Sequence, residues 1–404
     1  MIFEKVKLKD ICRSISDGDH QAPPKATKGV PFVTITNITN TNQFDFSNTM
    51  FVPQEYYDRL DSKRRAQEGD ILYSVVGSFG IPVYIKEATP FVFQRHIAIL
   101  KPNADKIVPG FLYYTMLNRD FYMKADAVAL GAAQRTISLT ALRNMEIEIP
   151  HIEVQKKIVK VLSSYDNLVE NNQKQIKLLE EAAQRLYKEW FVDLRFPGHE
   201  DLAIVDGVPE GWEKDKAEKF FNITIGKTPP RAEKQWFVNG NDGVPWLSIS
   251  DMGTSGVYSF TTSEGLTQEA VKKHNMKVVP AGTIFVSFKL TVGRVSIATT
   301  DMCTNEAIAH FYIDDDFKQA YTYCYLNNFE YDTLGNTSSI SKAVNSKIIK
   351  AMPFVIPDEA TILAFDKLVA PILEEIKNKQ MVCIKLKEAR DRLLPKLMSG
   401  ELEV

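Results

Sequence analysis

The chain has 404 residues, 44% of them apolar and 25% charged, with 49 Lys and Arg against 51 Asp and Glu and a formal net charge of −2. At about 150 residues per domain this length accommodates two or three domains, and the composition is that of a globular protein rather than a disordered one. The charge balance excludes a free-standing protein that grips nucleic acid by bulk positive charge, and leaves open a local patch or a subunit whose partners supply the cations.

The opening segment MIFEKVKLKD has no long apolar run behind its charges, so no secretory signal is expected. The runs PFVTITNI, DILYSVVGS, IPVYI, HIAIL and MEIEI are β-branched and bounded by Gly, Pro, Asn or Asp, and read as strands. Residues 53–60, 109–119 and 138–144 read as helices. Pro53 and Pro109 start two of them, where a missing N–H does no harm, and Ser138 reads as an N-cap. The uncharged stretch from Ile71 to Ile85 is 15 residues long and broken by Gly and Pro, too short for a membrane span.

From Ile158 a seam runs Ile158, Leu162, Tyr165, Val169, Asn172, Ile176, Leu179, Ala183, Leu186, Trp190, in alternating steps of 4 and 3. That is a heptad pattern with one polar interruption, and it predicts a helix whose seam is about 48 Å long. A linker follows, and then the chain repeats itself.

Residues 29–38, GVPFVTITNI, match residues 243–252, GVPWLSISDM, at an offset of 214. EGDILYSVVGSFG (68–80) matches PAGTIFVSFKLTVG (280–293) at 213, and HIAIL (96–100) matches AIAHF (307–311) at 211. EIPHIEVQKKI (148–158) matches VIPDEATILAF (355–365) at 207, a register that holds without a gap to EAAQRL (181–186) and EARDRL (388–393). Four ordered blocks with slowly drifting offset indicate an internal duplication. The second seam is Phe365, Val369, Ile372, Ile376, Lys379, Cys383, Leu386, Arg390, Leu393, Leu397, weakened by Lys379 and Arg390, and Pro371 is expected to break its helix.

The expected fold class is α+β. Two globular domains related by a pseudo-twofold are separated by an antiparallel coiled coil of two long helices. The expected limits are 1–150 and 212–356 for the domains, 151–194 and 357–404 for the spacer helices, and 195–211 for the linker. Pairing of the two helices within one chain is favoured over pairing between two chains.

Motifs for chemistry fail in turn. GKT at 226–228 lacks the glycine a phosphate loop needs five residues earlier, where Phe221 stands. The Pro-Pro pairs in APPK (22–25) and TPPR (228–231) do not make the Asn-Pro-Pro-aromatic loop of an adenine methyltransferase. Pro357-Asp358 and Glu375-x-Lys377 match a nuclease letter by letter but fall on the predicted second helix. The six histidines show no metal pairing, and Cys12, Cys303, Cys324 and Cys383 form no C-x-x-C pair. Scattered single thiols fit a reducing cytoplasm. No metal site is expected, and the chain reads as one that binds rather than catalyses.

DGDHQAPP (17–24), VPEGWEK (208–214), TIGKTPPR (224–231), EEAAQRLYKEWFVDLRFPGHE (180–200) and KEARDRLLPKLMSGELE (387–403) together resemble the specificity subunit of a Type I restriction-modification system, over essentially the whole chain. The resemblance implies a non-catalytic chain of two target recognition domains. Each reads half of a bipartite, asymmetric site on double-stranded DNA, and the helices set the spacer and dock two methylation subunits. Restriction subunits, which combine motor and nuclease, join through those. S-adenosylmethionine, ATP and Mg²⁺ belong to the partners, and no catalytic residue or cofactor to this chain.

Residues that read DNA should be polar, clustered and on loops. In the first copy they are expected to be Lys25, Lys28, Arg95, His96, Gln134, Arg135 and Thr136, and in the second Lys227, Arg231, Lys289, Arg294, Asn305, Ser338 and Lys342. Domains 1–150 and 212–356 carry 18 basic against 16 acidic and 15 against 15 residues, so binding relies on local patches and on partner subunits. The competing reading is a coiled-coil scaffold that holds proteins without reading DNA, and a third is a self-contained nuclease.

Overall fold

The fold is that of a computed structural model, which describes residues 2–39, 41–131, 135–205, 207–240, 242–315, 318–334 and 344–404. The chain forms two compact units, one of residues 1–168 with 386–404 and one of residues 169–385.

The first unit is built on a four-stranded antiparallel sheet in the order Cys12–Asp17, Ile97–Pro102, Ile71–Ser74, Pro82–Tyr84. Its two middle strands are buried throughout, as an apolar run flanked by turn residues requires. A second sheet orders Met50–Val52, Val30–Val33, Val92–Phe93, and a ribbon pairs Phe3–Lys7 with Glu146–Pro150. Helix Pro109–Leu117 begins on its proline, and Leu139–Asn144 is capped by Ser138, whose hydroxyl accepts from the Ala141 amide at 3.1 Å.

The second unit repeats this plan. Its core sheet runs Ile223–Ile225, Ile308–Phe311, Ile284–Ser287, Val295–Ala298, with Tyr258–Ser259 added at the edge. Its second sheet runs Phe237–Asn239, Glu264–Leu266, Val244–Leu247, Cys303–Thr304, and its ribbon pairs Glu213–Lys216 with Pro353–Ile356. Strand order, pairing direction and sequence offset agree, so the duplication read from the sequence is a duplication of topology.

Each ribbon delivers the chain into a long helix, Ile152–Tyr187 in the first copy and Glu359–Ser399 in the second. Asp358 accepts from the Thr361 amide at 3.0 Å and the Trp212 indole at 3.2 Å, so Pro357-Asp358 starts a helix rather than half of a nuclease site. Pro371 does not break the second helix, which is continuous. Pro371 and Pro395 both lie on its exposed face, where the carbonyls they leave unpaired can be hydrated.

The helices pack antiparallel in both units. In the first, Ile158 and Leu162 share a core with Leu394 and Leu397. In the second, Ala183, Tyr187 and Trp190 share one with Ile362, Phe365, Val369 and Leu373, and the Cys383 thiol lies 3.7 Å from the Val169 carbonyl. The seam departs from the expected heptads at equivalent places in both copies. Tyr187, Leu373 and Leu394 are buried where Leu186, Ile372 and Leu393 were expected, and the latter three pack only partly against the core. Tyr165, Ile176, Leu179 and Leu386 are half-buried, and Val169 and Ile376 are buried. A straight helix drifts by ~20° per heptad, so a local 4, 4, 3 spacing takes over from strict 3.5. Lys379 reaches Glu375 at 2.9 Å and is accommodated at the edge of the seam.

The WFVDL and EGW text now has a packing role. The first helix loosens into a π turn at Lys188–Val192, and Phe191 packs edge-to-face on Phe365 at 4.9 Å and tilted against Trp212 at 5.7 Å. At the other end, Gly400 takes a φ of 76° after Ser399, and the Leu402 amide returns to the Lys396 carbonyl at 3.1 Å, which closes the last helical turn. Helix Arg119–Val128 was not anticipated, although Asn118 caps it and Phe121 and Ala125 bury one face at spacing i, i+4. Among the described residues no helix is long and apolar enough to cross a membrane.

Candidate nucleic-acid interface

The expected site residues lie mainly on loops between the two sheets of each unit. In the first unit a cleft of about 510 Å³ opens there, with Asp19, His20, Lys25, Thr34, Asn37, Asn48, Gln94 and Arg95 in its walls. Its floor is set by a short 3-10 turn, Ile35–Asn37, where Asn37 accepts from the Thr34 amide at 2.9 Å. Its lip is set at Gly18, where a Cβ would lie 2.1 Å from the Phe93 carbonyl oxygen, so only glycine lets the two loops cross.

Lys25 and Arg95 both line this cleft. Both, with Lys28, are exposed and have no side-chain partner among the described residues, as a cation waiting for an anion would be. Asp19 is held from behind by the Tyr56 hydroxyl at 2.8 Å and Arg64 at 3.5 Å. His96 is half-buried, and burial, then the Arg95 guanidinium, push its imidazole below the usual histidine value. It is therefore uncharged near neutral pH. The Val75 amide donates to the His96 carbonyl, and the Gly77 amide to that of Arg135, which puts both expected segments on one turn. The Arg135 side chain is engaged, 3.0 Å from Asp126 and bonded to the carbonyl of the same residue. Thr136 bridges Val76 and Leu130 through its backbone. Gln134 lies outside the described residues.

The second copy presents a different set. Lys227 is exposed but donates to the His274 carbonyl at 2.6 Å. Arg231 sits on Glu264 at 2.7 and 2.9 Å and lies 4.3 Å over Phe237 and 4.5 Å over Trp246. Arg294 turns inward to the Ile249 carbonyl at 2.6 Å, against Gly253, where a Cβ would meet it at 2.6 Å. Asn305 accepts from the Ala307 amide at 2.9 Å, closing its own turn. Lys289 is exposed, 5.5 Å over Phe288. Ser338 and Lys342 lie outside the described residues. The selection by residue type thus mixed cations with free head groups and cations spent on the fold. Nothing in the residue letters separates the two, because the partners are carbonyls and carboxylates far away in sequence.

Sequence reasoning also missed Gln94, Asn37 and Glu306. A search for cations passes over Glu306, an exposed carboxylate at the position in its loop that Arg95 holds in the first copy.

The cysteines fit inert packing. None of the four is in a disulfide, and burial pushes the Cys12 and Cys303 thiols up to about 12. Among the described residues no three His, Cys, Asp or Glu side chains stand together as metal ligands.

Two mixed helix-and-sheet domains of duplicated topology, each followed by a long helix, define a class that comparison makes concrete. The chain belongs to the Type I restriction modification DNA specificity domain family, whose model matches it twice, over residues 2–181 and 209–388. The two matches differ by 207 residues, the offset at which the sequences of the long helices align. The chain is 25% identical to the Type I restriction enzyme HindI specificity subunit of Haemophilus influenzae, over 99% of both chains. It is 29% identical to the MjaIX specificity subunit of Methanocaldococcus jannaschii, over 98% of this chain and 93% of that one. In fold it is similar to the crystal structure of a Type I system S subunit from M. genitalium, with a TM-score of 0.57, 15% identity and coverage of 98% and 96%.

Proposed function

We propose that this chain is the DNA-reading subunit of a Type I restriction-modification enzyme, in which each globular domain recognises one half of a bipartite, asymmetric site. The observation that carries the reading is a repeated loop framework with different polar groups at equivalent loop positions in the two copies. One framework meeting one duplex geometry, with different side chains, is what two different half-sites require.

The long helices act as the ruler between the half-sites and as the docking surface for two methylation subunits. Readers on a helical spacer suit DNA whose equivalent groove faces recur every ~34 Å. Motor-nuclease subunits attach through the methylation subunits. S-adenosylmethionine, ATP and Mg²⁺ are held by these partners, and this chain contributes recognition rather than chemistry. The net charge of −2 supports a division of labour, since each phosphate contact needs a cation and the chain carries no cationic excess.

The test is to assemble the chain with its methylation subunits and sequence the adenines they methylate in genomic DNA. Methylation confined to one bipartite, asymmetric sequence is expected. An assembled complex that shows no preferred sequence and no DNA footprint would overturn the reading in favour of a protein-binding scaffold.

A further inference from the structure

In each copy the loop after the first core strand crosses the loop before the last one over a glycine. In the first copy the Gly18 amide donates to the Ile97 carbonyl at 3.2 Å and the Asp19 amide to Phe93 at 3.0 Å. In the second the Gly226 amide donates to Ile308 at 3.0 Å and the Lys227 amide to Thr304 at 2.9 Å. The Gln94 amide donates to Val33 as the Asn305 amide donates to Leu247. A Cβ on either glycine would lie 2.1 Å from a carbonyl oxygen of the crossing loop.

These bonds fix the equivalences without appeal to sequence alignment. Asp19 corresponds to Lys227, Gln94 to Asn305, and Arg95 to Glu306. Acid and base have exchanged places between the two copies. Asp19 and Lys227 are tied back into the protein, Asp19 by Tyr56 and the exposed Lys227 by the His274 carbonyl. Arg95 and Glu306 are exposed, and Glu306 is oriented by a hydrogen bond from the Thr228 hydroxyl.

A backbone contact cannot explain such a position. Two readers of the same framework meet the same phosphate geometry, so an anchor to phosphate would carry a cation in both. A carboxylate only accepts hydrogen bonds and repels phosphate, whereas an arginine only donates. In the major groove guanine offers two acceptors, O6 and N7, and cytosine offers the N4 amino donor.

We infer that Arg95 and Glu306 are equivalent base-reading residues, Arg95 specifying a guanine in one half-site and Glu306 a cytosine in the other. This rests on the DNA-reading function proposed above and assigns specificity to single positions within it.

The test uses the complete complex of this chain with its methylation subunits, acting on a DNA library randomised across both half-sites. Arg95→Ala is expected to relax one guanine position of one half-site by tenfold to a hundredfold and to leave the other half-site unchanged. Glu306→Gln, which keeps an acceptor for Thr228, is expected to change the preference at one cytosine of the other half-site only. Both side chains are exposed, so the melting temperature of each variant should match that of the parent and a loss cannot be blamed on folding. A uniform loss of methylation with both half-sites intact, or no change in either variant, would overturn the inference. If the unsubstituted complex prefers no sequence, the DNA-reading function itself fails instead.

Discussion

Asp166 and Arg390 form an ion pair at 2.6 Å across the two long helices, with the Tyr114 hydroxyl donating to the other carboxylate oxygen at 2.6 Å. At the register of the duplication their equivalents are Leu373 and Ala183, both buried and apolar. One layer of the helix pair is therefore ionic in the first unit and hydrocarbon in the second. If the first helix paired with the same helix of another chain, Asp166 would face an alanine and lose its partner. The layer thus favours pairing of unlike helices, as a single polar seam position fixes register in coiled coils.

Removing one member leaves the other largely buried with a weaker set of partners, Asp391 at 2.8 Å for Arg390 and the Tyr114 hydroxyl for Asp166. Arg390→Ala or Asp166→Leu should cost about 2–4 kcal/mol and lower the melting temperature by several degrees, because both groups keep under a fifth of their surface. Asp166→Leu combined with Arg390→Ala, which copies the apolar layer of the second unit, should recover most of the loss. Thermal unfolding of the four proteins gives the coupling directly. Additive losses in the double variant would remove the pair from the account.

Arginines expected to read DNA should separate by stability. Arg294→Met removes a hydrogen bond to the Ile249 carbonyl and should destabilise the chain by about 1–2 kcal/mol. Arg95→Ala should leave the melting temperature unchanged, since its side chain is exposed and makes no hydrogen bond or ion pair with another side chain among the described residues. Denaturant unfolding of the unassembled chain distinguishes the two.

Gly18→Ala should collapse the first cleft, because the added Cβ meets backbone, which cannot rotate away. The complex should lose discrimination in one half-site while Gly226→Ala does the same to the other. Methylation of substrates randomised one half at a time measures this.

His310 is buried in the second core sheet between the Thr224 and Thr304 hydroxyls, at 2.9 and 2.7 Å. Burial, with a smaller push from Lys277, lowers its pKa to about 4 from 6.5. Between these values the unfolded chain binds the proton and the folded chain does not, so its contribution to stability rises with pH through that window. Acidification from pH 6.5 to 4 should cost up to about 3 kcal/mol through this residue. His310→Gln should flatten that part of a stability-against-pH curve.

Much of the architecture was legible in the sequence because it rests on periodicities. The offsets of 214 to 207 gave two copies of one topology, and the steps of 4 and 3 gave two long helices. The failures have physical causes. Pro371 was expected to break a helix that instead turns the proline to solvent. Seam positions moved by one residue at 187, 373 and 394 because a straight helix drifts relative to a 3.5-residue repeat, which a strict heptad count does not register. Arg390 reads as a defect in the second seam until Asp166, 224 positions earlier, is placed beside it. Among the candidate readers, the exchange of Arg95 for Glu306 is invisible to a search for cations and becomes visible only when backbone hydrogen bonds align the loops.

The central claim is that reading and spacing are separate jobs within one chain. The most direct test inserts one heptad into the middle of each long helix, keeping the antiparallel register, and maps the adenines methylated by the assembled complex. Seven residues add about 10 Å of helix, so the account predicts two unchanged half-sites with a spacer longer by about three base pairs. An unchanged spacer, or altered half-site sequences, would contradict it.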